Sequence, residues 1–250
     1  MNFRLPHHNK IAVILQSLDS RLLAKSFAYF GGGTLITLEF DEYRWSKDID
    51  FICPISSSGY KLLRREIFDH GYEVLFTDLT KVELGRCTTD QYGIRMLVNV
   101  AGEAIKAEII AESRFKLDFP RYFPWSSVPC LSFNDCFTSK LLANSDRYMD
   151  DSVDARDLID LAVLRLEAVI SESAIEKAEN AYEVIRPLKE AIDRFQYRTQ
   201  FRDQCFDRLQ INQDRLPGII DGIDLLAQDF GMSSTSRSFR EKHDPFDFEF

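Results

Sequence analysis

Two carboxylates separated by one residue form the chain's clearest chemistry-bearing pattern. Asp48-Ile49-Asp50 begins an alternating stretch, Asp48 to Cys53, that predicts a strand. Because side chains alternate along a strand, Asp48 and Asp50 should project from one face, with their Cα atoms about 7 Å apart. Converging carboxylates repel each other unless a cation lies between them, and Mg²⁺ prefers oxygen ligands. The spacing therefore predicts a magnesium site at Asp48 and Asp50.

A third carboxylate would complete a site for two metal ions. Glu108 lies within a predicted strand, Ile105 to Ala111, and is the best candidate for this position. Glu112 is the competing carboxylate, and Glu108 could instead be a strand residue that faces solvent. In a two-ion site, one ion lowers the pKa of an attacking hydroxyl and the other stabilises the leaving group.

A run of three glycines precedes the two aspartates. Gly31-Gly32-Gly33-Thr34 follows a short apolar segment and opens a predicted helix, Thr34 to Glu39. Glycines let the backbone approach a phosphate group closely, and the start of a helix favours anions. The turn is not a Walker A loop, because that spacing is absent. Gly32, Gly33 and Thr34 are therefore candidates for holding a triphosphate, although Thr34 could simply cap the helix.

The order of these motifs resembles a known family. GGGTL, followed by Arg44-Trp45-Ser46-Lys47-Asp48-Ile49-Asp50-Phe51, is similar to the nucleotidyltransferase superfamily and specifically to its AbiEii/AbiGii toxin type. Lys140-Leu141-Leu142-Ala143 with Arg147 resembles that family's K-x-x-A-x-x-x-R helix. Arg156-Asp157-Leu158-Ile159-Asp160-Leu161 resembles its R-D-x-x-D-L motif. The four motifs span about residues 28 to 165 in the family's order.

The resemblance implies roles for the residues of these motifs. Asp48, Asp50 and Glu108 would bind Mg²⁺, and Asp157 and Asp160 would act near the nucleotide or the acceptor, Asp157 as a catalytic residue. The implied nucleotide-binding residues are Gly32, Gly33, Thr34, Arg44, Ser46, Lys140 and Asp160. Members of the family are toxins that bind nucleoside triphosphates (NTPs) and in some cases transfer nucleotides to the 3′ end of tRNA. The expected partners are therefore an NTP, tRNA or another RNA acceptor, and an antitoxin protein.

Other interpretations of the same residues stay open. Asp157 and Asp160 are one helical turn apart and could stabilise the start of their helix or pair with Arg147 or Arg156. The chain could be a non-catalytic module that binds an NTP or a protein partner, or an enzyme that modifies an antibiotic. The chain's four histidines show no metal-ligand spacing, which predicts surface positions for them.

Bulk properties restrict the class of protein. The 250 residues carry a formal net charge of −9, which argues against a protein that coats nucleic acid but allows a local basic site. The sequence shows neither an apolar run long enough for a membrane span nor a signal peptide, so we expect a cytoplasmic protein. Five scattered cysteines without a CxxC pair argue against a zinc site or a disulfide framework.

The pattern of elements predicts an α+β fold: a small mixed β-sheet of nucleotidyltransferase type with helices, followed by a C-terminal helical bundle. Strands are expected from Tyr72 to Phe76 and from Gly93 to Val100, among others, and one long helix from Pro187 to Leu209. A proline-rich stretch before Leu131 separates the two regions. We therefore expect a nucleotidyltransferase domain at 1–130, a helical domain at 131–231 and a flexible tail at 232–250.

Overall fold

Strands and helices follow the sequence pattern closely within residues 2–235, which are the residues that the computed structural model describes. The strands are β1 (Tyr29–Gly31), β2 (Ile49–Pro54), β3 (Glu83–Thr89), β4 (Gly93–Val100) and β5 (Glu103–Glu112). The helices are α1 (Pro6–Ser17), α2 (Ser20–Lys25), α3 (Gly32–Glu39), α4 (Gly59–His70), α5 (Phe133–Arg147), α6 (Arg156–Glu167), α7 (Glu172–Glu179), α8 (Ile185–Tyr197), α9 (Thr199–Arg208) and α10 (Leu216–Asp229).

The described residues divide into two compact units. Unit 1 contains the chain up to Glu42 together with Ser46–Cys136, and unit 2 contains Tyr43–Trp45 and the described residues from Phe137 onward. The short segment Tyr43–Trp45 therefore belongs to unit 2, although unit 1 lies on both sides of it in the sequence.

Unit 1 is built on a mixed sheet with the strand order β1-β2-β5-β4-β3. β2 and β5 run parallel, whereas the other neighbouring strands are antiparallel. Ile49, Ile94 and Ile109 are fully or almost fully buried and form part of the core of this unit. The expected small mixed sheet is confirmed, and the parallel pair places the two predicted acidic strands side by side.

Unit 2 is helical, as expected. α6 packs against α10 and α8, and the apolar side chains Leu158, Leu161 and Leu164 of α6 are buried. Gly222 of α10 lies so close to α6 that a Cβ atom there would be 2.3 Å from the carbonyl oxygen of Ala162. The absence of a side chain at this glycine is therefore what lets the two helices approach.

Two predicted elements are wrong in detail. Tyr72–Leu75 forms a 3-10 turn and not a strand, because it directly follows the helix-ending Gly71, whose φ is 79°. The long helix expected after Pro187 is broken at Arg198, whose ψ of 69° is not helical, so that α8 and α9 are separate.

The segment expected as a tail is described only as far as Thr235, and residues 236–250 lie outside the described residues. The backbone N–H and the hydroxyl of Thr235 donate to Oδ1 of Asp224 at 2.7 and 2.6 Å. Gln196 donates from Nε2 to the carbonyl of Ser233 at 3.0 Å. The described end of the chain is therefore bound to unit 2 by hydrogen bonds.

Substitution of the two glycines of α10 should have opposite effects. Gly222→Ala should lower the free energy of unfolding by about 1–3 kcal/mol, because the new methyl group overlaps the α6 backbone. Gly218→Ala is the matched control, since a Cβ atom there meets nothing within 4 Å. It should raise the free energy of unfolding by about 0.5–1 kcal/mol, because alanine favours the helix. Urea denaturation of both variants measures the difference, and equal effects would contradict the packing.

Candidate active site

The glycine turn joins β1 to α3 and leaves no room for side chains. A Cβ atom on Gly31 would lie 2.5 Å from Cδ1 of Leu131. Gly32 is the first residue of α3 and has a φ of 68°, a conformation that glycine adopts without strain. Gly33 follows within α3 and is half-buried. The turn therefore needs its first two glycines for steric reasons that the structure shows directly.

Asp50 lies directly against this turn. It is paired with Gly31 in the β1–β2 ladder, and a Cβ atom on Gly32 would be 2.6 Å from Oδ2 of Asp50. The first N–H groups of a helix have no partner within the helix and carry partial positive charge. Because Gly32 has no side chain, the Asp50 carboxylate lies beside the start of α3. The carboxylate could bind a cation, and the free N–H groups of the helix could bind an anion.

Thr34 fixes the segment that precedes β2. Its side chain is buried, and its hydroxyl donates to the carbonyl oxygen of Asp48 at 2.5 Å. The same hydroxyl lies 2.7 Å from the hydroxyl of Ser46. Thr34 and Ser46 therefore hold the backbone around Asp48 in place. The expected contacts of these two hydroxyls with a triphosphate stay predictions.

Two histidines of α1 hold the same segment from the other side, and their predicted surface positions are wrong. His7 and His8 are buried, and their Nε2 atoms lie 3.0 Å from the carbonyl oxygens of Lys47 and Ser46, respectively. Burial lowers the pKa of His8, although its hydrogen bond to Glu42 opposes this shift. These residues carry no motif signal, because only the fold brings α1 next to the segment.

Glu108 is placed beside Asp50 by strand register. The β2–β5 ladder pairs Asp50 with Glu108, and the β4–β5 ladder pairs Glu108 with Arg95. Arg95 donates from Nε to Glu108 Oε1 at 2.9 Å, and the ammonium of Lys106 contacts Oε2. Glu112 is paired with Pro54 instead, and its carboxylate is bound by Arg114. Register therefore favours Glu108 over Glu112 as the neighbour of Asp50.

The two cations on Glu108 were not predicted from the sequence. Lys106 has a signal, because it stands two residues before Glu108 and so shares its face of β5. Arg95 has none, since only the register of β4 against β5 brings it to Glu108. Both cations are partly exposed, with side-chain exposures of 40% for Arg95 and 47% for Lys106.

The donor set fits one magnesium ion better than two. Asp48 and Asp50 are half-buried, and the space that a side chain on Gly32 would fill is taken by the Asp50 carboxylate. Mg²⁺ is commonly held by one or two carboxylates while it keeps positions open for water and phosphate. Glu108 has both carboxylate oxygens in ion pairs, and residues 2–235 hold no cluster of three or more acidic, histidine or cysteine side chains that could bind a metal.

In unit 2, Arg44 forms a two-pronged ion pair with Asp160. Its Nε and Nη2 atoms donate to the two carboxylate oxygens at 2.6 and 2.9 Å, and the hydroxyl of Tyr43 also donates to this carboxylate. Arg44 and Asp160 are 4% and 0% exposed. Burial alone would lower the pKa of Arg44, but Asp160 more than offsets it and raises that pKa.

Lys140 and Arg147 of α5 complete this cluster. The ammonium of Lys140 lies 2.6 Å from Asp160 Oδ2 and 3.0 Å from Asp157 Oδ1. Arg147 donates to both oxygens of Asp157 at 2.6 and 2.9 Å, which confirms the alternative that this arginine pairs with an aspartate. Burial would raise the pKa of both aspartates, but the neighbouring cations lower it below its usual range.

A buried amide beside this cluster lacks a partner. The three cations Arg44, Lys140 and Arg147 face Asp157 and Asp160, and Asp146 also acts on Arg147. Asn144 lies on α5 between Lys140 and Arg147 at spacings of four and three residues, which place all three on one helix face. Asn144 is 3% exposed, and its amide nitrogen has no hydrogen-bond partner in residues 2–235. No sequence pattern singles out Asn144.

A comparison with known protein families gives a match over most of the chain. The family described as "Nucleotidyl transferase AbiEii toxin, Type IV TA system" matches residues 13–240. No curated protein matches the chain. In residues 2–235, no helix has the length and apolar character that crossing a membrane requires.

Solved structures match the chain at low sequence identity. A crystal structure from H. pylori, described as a candidate nucleotidyltransferase, is 17% identical with a TM-score of 0.55, and the match covers 92% of this chain and 98% of that one. MenT4, a nucleotidyltransferase toxin from Mycobacterium tuberculosis, is 13% identical with a TM-score of 0.38, over 88% of this chain and 93% of that one. Of these two structures, the one from H. pylori has a TM-score above 0.5, and at 17% identity it supports the fold alone.

Removal of one buried carboxylate should destabilise unit 2. Asp160→Asn leaves Arg44 and Lys140 buried without their shared countercharge and should lower the free energy of unfolding by about 3–5 kcal/mol. Glu183→Gln, which removes an exposed ion pair with Arg186, should cost no more than about 1 kcal/mol. Chemical denaturation of both variants gives the comparison, and a cost of Asp160→Asn as small as that of the control would contradict the cluster.

Stability should also fall in acid. The pKa of Asp157 and Asp160 is lower in the folded than in the unfolded chain. Their contribution is therefore fully present above the unfolded value of about 3.9 and is lost as the pH falls toward the folded value. Unfolding free energies measured between neutral pH and acid should decrease below pH ~4, and the Asp160→Asn variant should show a weaker decrease. An unchanged acid dependence in that variant would count against the lowered pKa of Asp160.

Proposed function

Because the chain belongs to the AbiEii nucleotidyl transferase toxin family of type IV toxin–antitoxin systems, we propose that it transfers a nucleoside monophosphate from an NTP to a hydroxyl acceptor. The observation that carries this proposal is the contact of the Asp50 carboxylate with Gly32, the first residue of α3. Asp48 precedes Asp50 by two residues. This arrangement places a carboxylate that could bind a metal ion next to backbone N–H groups that could bind phosphate.

The proposed roles follow the local geometry of unit 1. Asp48 and Asp50 would hold Mg²⁺, which would supply positive charge next to the phosphate and the acceptor hydroxyl. The backbone of Gly32 and Gly33 binds the triphosphate, and Thr34 with Ser46 keeps the aspartate strand in place. Lys106 and Arg95 offset the negative charge of Glu108 beside Asp50.

The reaction exchanges one phosphorus–oxygen bond for another. The acceptor oxygen bonds to the α-phosphorus of the NTP, the bond from that phosphorus to the β-phosphate oxygen breaks, and pyrophosphate leaves. The hydroxyl proton passes to solvent. Family membership supports a nucleotidyltransferase toxin role with a nucleotide substrate and an antitoxin partner. The proposed acceptor is RNA, with the 3′ end of tRNA as the first acceptor to test.

A second candidate function has one observation in its favour. Glu108 is bound by Arg95 and Lys106, so an enzyme that needs its carboxylate for a second metal ion would have to break both ion pairs. A protein with this arrangement could bind an NTP without turnover. The transfer assay below separates the two functions.

The carboxylate pair should be required for transfer. We expect Asp48→Asn/Asp50→Asn to lower the rate of labelled nucleotide transfer from an NTP to total tRNA by about 10³-fold or more, because a metal ion contributes several kcal/mol to catalysis. Glu83→Gln, an exposed carboxylate on β3, should leave the rate unchanged. Binding of NTP by the parent protein without transfer to RNA, protein or a small acceptor would favour the second function.

The buried amide nitrogen of Asn144, next to Lys140 and Arg147, is proposed to donate a hydrogen bond to a phosphate group. Asn144→Leu removes the buried donor that has no partner in the described residues, so it should not lower the free energy of unfolding. If that donor binds phosphate, the variant should bind a labelled NTP about 10-fold more weakly. Cys205→Ser, a buried polar substitution in another helix of unit 2, serves as the control for binding. NTP binding by Asn144→Leu as strong as that of the parent chain would show that Asn144 does not bind phosphate.

A further inference from the structure

A large groove runs along one side of α4 in unit 1. Its volume is about 1070 Å³, and its walls are α4, the turn after β3 and the end of β5. We call it the α4 groove and define it by Lys61, Arg64, Arg65, Phe68, Tyr72 and Tyr92. None of these residues has a role in the proposed metal and triphosphate site.

The helix side of the groove is a cationic stripe. Lys61, Arg64, Arg65 and Phe68 follow the spacing of one helix face, whereas the opposite face buries Leu63 and Ile67. Lys61 and Arg64 make no ion pair within residues 2–235, and Arg65 lies 3.6 Å from the Glu66 carboxylate. No acidic side chain lines the groove. Three clustered cations in a chain with a net charge of −9 indicate an anionic ligand.

Two aromatic rings in the groove have no packing role that would explain their position. Phe68 is 89% exposed and Tyr92 is 66% exposed. By contrast, the hydroxyl of Tyr60 donates to the carbonyl oxygen of Asp90, and the hydroxyl of Tyr72 lies 2.9 Å from that of Thr89. Cations that follow a backbone, combined with exposed rings on which bases stack, are the features with which proteins bind single-stranded nucleic acid.

The α4 groove adjoins a second cavity that extends to Glu108, the neighbour of Asp50 in the β2–β5 ladder. This cavity of about 300 Å³ shares Tyr92, Ala111 and Ser113 with the groove and contains Glu108 and Arg95. A strand bound along α4 would therefore reach the sheet position next to Asp50. We propose that the α4 groove binds single-stranded nucleic acid as the acceptor strand, with Arg64 and Arg65 on its phosphates and with Phe68 and Tyr92 stacked on its bases. The role of the bound strand as acceptor rests on the proposed transfer reaction, whereas the binding of the strand does not.

Binding without NTP tests the groove separately from transfer. A labelled oligouridylate RNA and a matching DNA strand are titrated with the full chain, and fluorescence anisotropy is measured over a range of salt concentrations. Arg64→Ala/Arg65→Ala should bind on the order of 10-fold more weakly, and the slope of log K against log salt should fall by about 1.4, since each lost phosphate contact removes about 0.7. Phe68→Ala/Tyr92→Ala should weaken binding by a similar factor and leave that slope unchanged.

The matched control is Arg21→Ala/Lys25→Ala, which removes two exposed cations four residues apart on α2, outside the groove. It should bind within about twofold of the parent chain, since it removes no phosphate contact. Unfolding curves of all three variants should match the parent, because every substituted residue is exposed.

The outcomes separate the two proposals. Groove variants that bind RNA and DNA like the parent overturn the groove assignment, even if nucleotide transfer is found. Loss of RNA binding in the groove variants supports the assignment, even if the parent transfers no nucleotide. A parent chain that binds neither strand would overturn the assignment. Competition by poly-glutamate as strong as that by RNA, with no effect of Phe68→Ala/Tyr92→Ala, would indicate a surface for an acidic protein and would also overturn it.

Discussion

Two aspartates with almost no access to solvent, Asp157 and Asp160, place the strongest constraint on unit 2. A buried carboxylate is costly unless cations and hydrogen bonds replace the lost water. The replacements come from two separate segments: Tyr43 with Arg44, and Lys140 with Arg147 on α5. Unit 2 therefore cannot pack α5, α6 and the segment Tyr43–Trp45 in any arrangement that separates these charges.

The same cluster explains why functional motifs and structural networks are hard to tell apart in this chain. The residues that resemble the family's nucleotide-binding and catalytic positions, Arg44, Lys140, Asp157 and Asp160, are each other's ion-pair partners. A structural role accounts for both carboxylates and for all three cations that pair with them. It does not account for the buried amide nitrogen of Asn144, which has no hydrogen-bond partner within residues 2–235. The proposed phosphate contact in unit 2 rests on this amide.

Unit 1 has a different controlling feature, which is the close approach of backbone to carboxylate. Leu131 packs closely against Gly31, and Asp50 packs closely against Gly32. Strand register then pairs Glu108 with Asp50 on one side and with Arg95 on the other. His7, His8 and Thr34 fix the segment in front of Asp50 by binding its carbonyl groups. The site is thus held by residues that bind the backbone of this segment, whereas the α4 groove presents exposed side chains. A fixed pair of carboxylates near an exposed groove would suit the proposed transfer to a nucleic-acid strand.

The sequence by itself determined the elements and the local chemistry. Helical spacing, alternation and the glycine turn predicted most of the strands and helices, and Asp48-Ile49-Asp50 with the glycines predicted where carboxylates and phosphate-binding backbone meet. The family resemblance also came from the sequence, because its motifs are short and keep their order. The break at Arg198 and the 3-10 turn after Gly71 were missed, since both depend on single backbone conformations that carry no periodic pattern.

Tertiary structure alone decided which residues are partners. Asp50 faces Glu108 because β2 and β5 are parallel and in a particular register, and Glu108 is neutralised because β4 brings Arg95 beside it. Arg44 pairs with Asp160 across 116 residues of chain, and His7 and His8 become buried although their sequence surroundings favour solvent. Such pairings depend on long-range packing, in which any cation can satisfy any carboxylate, so residue type and spacing do not specify them. The fold chooses among these pairings, because only one arrangement buries the core and leaves few charges without a partner.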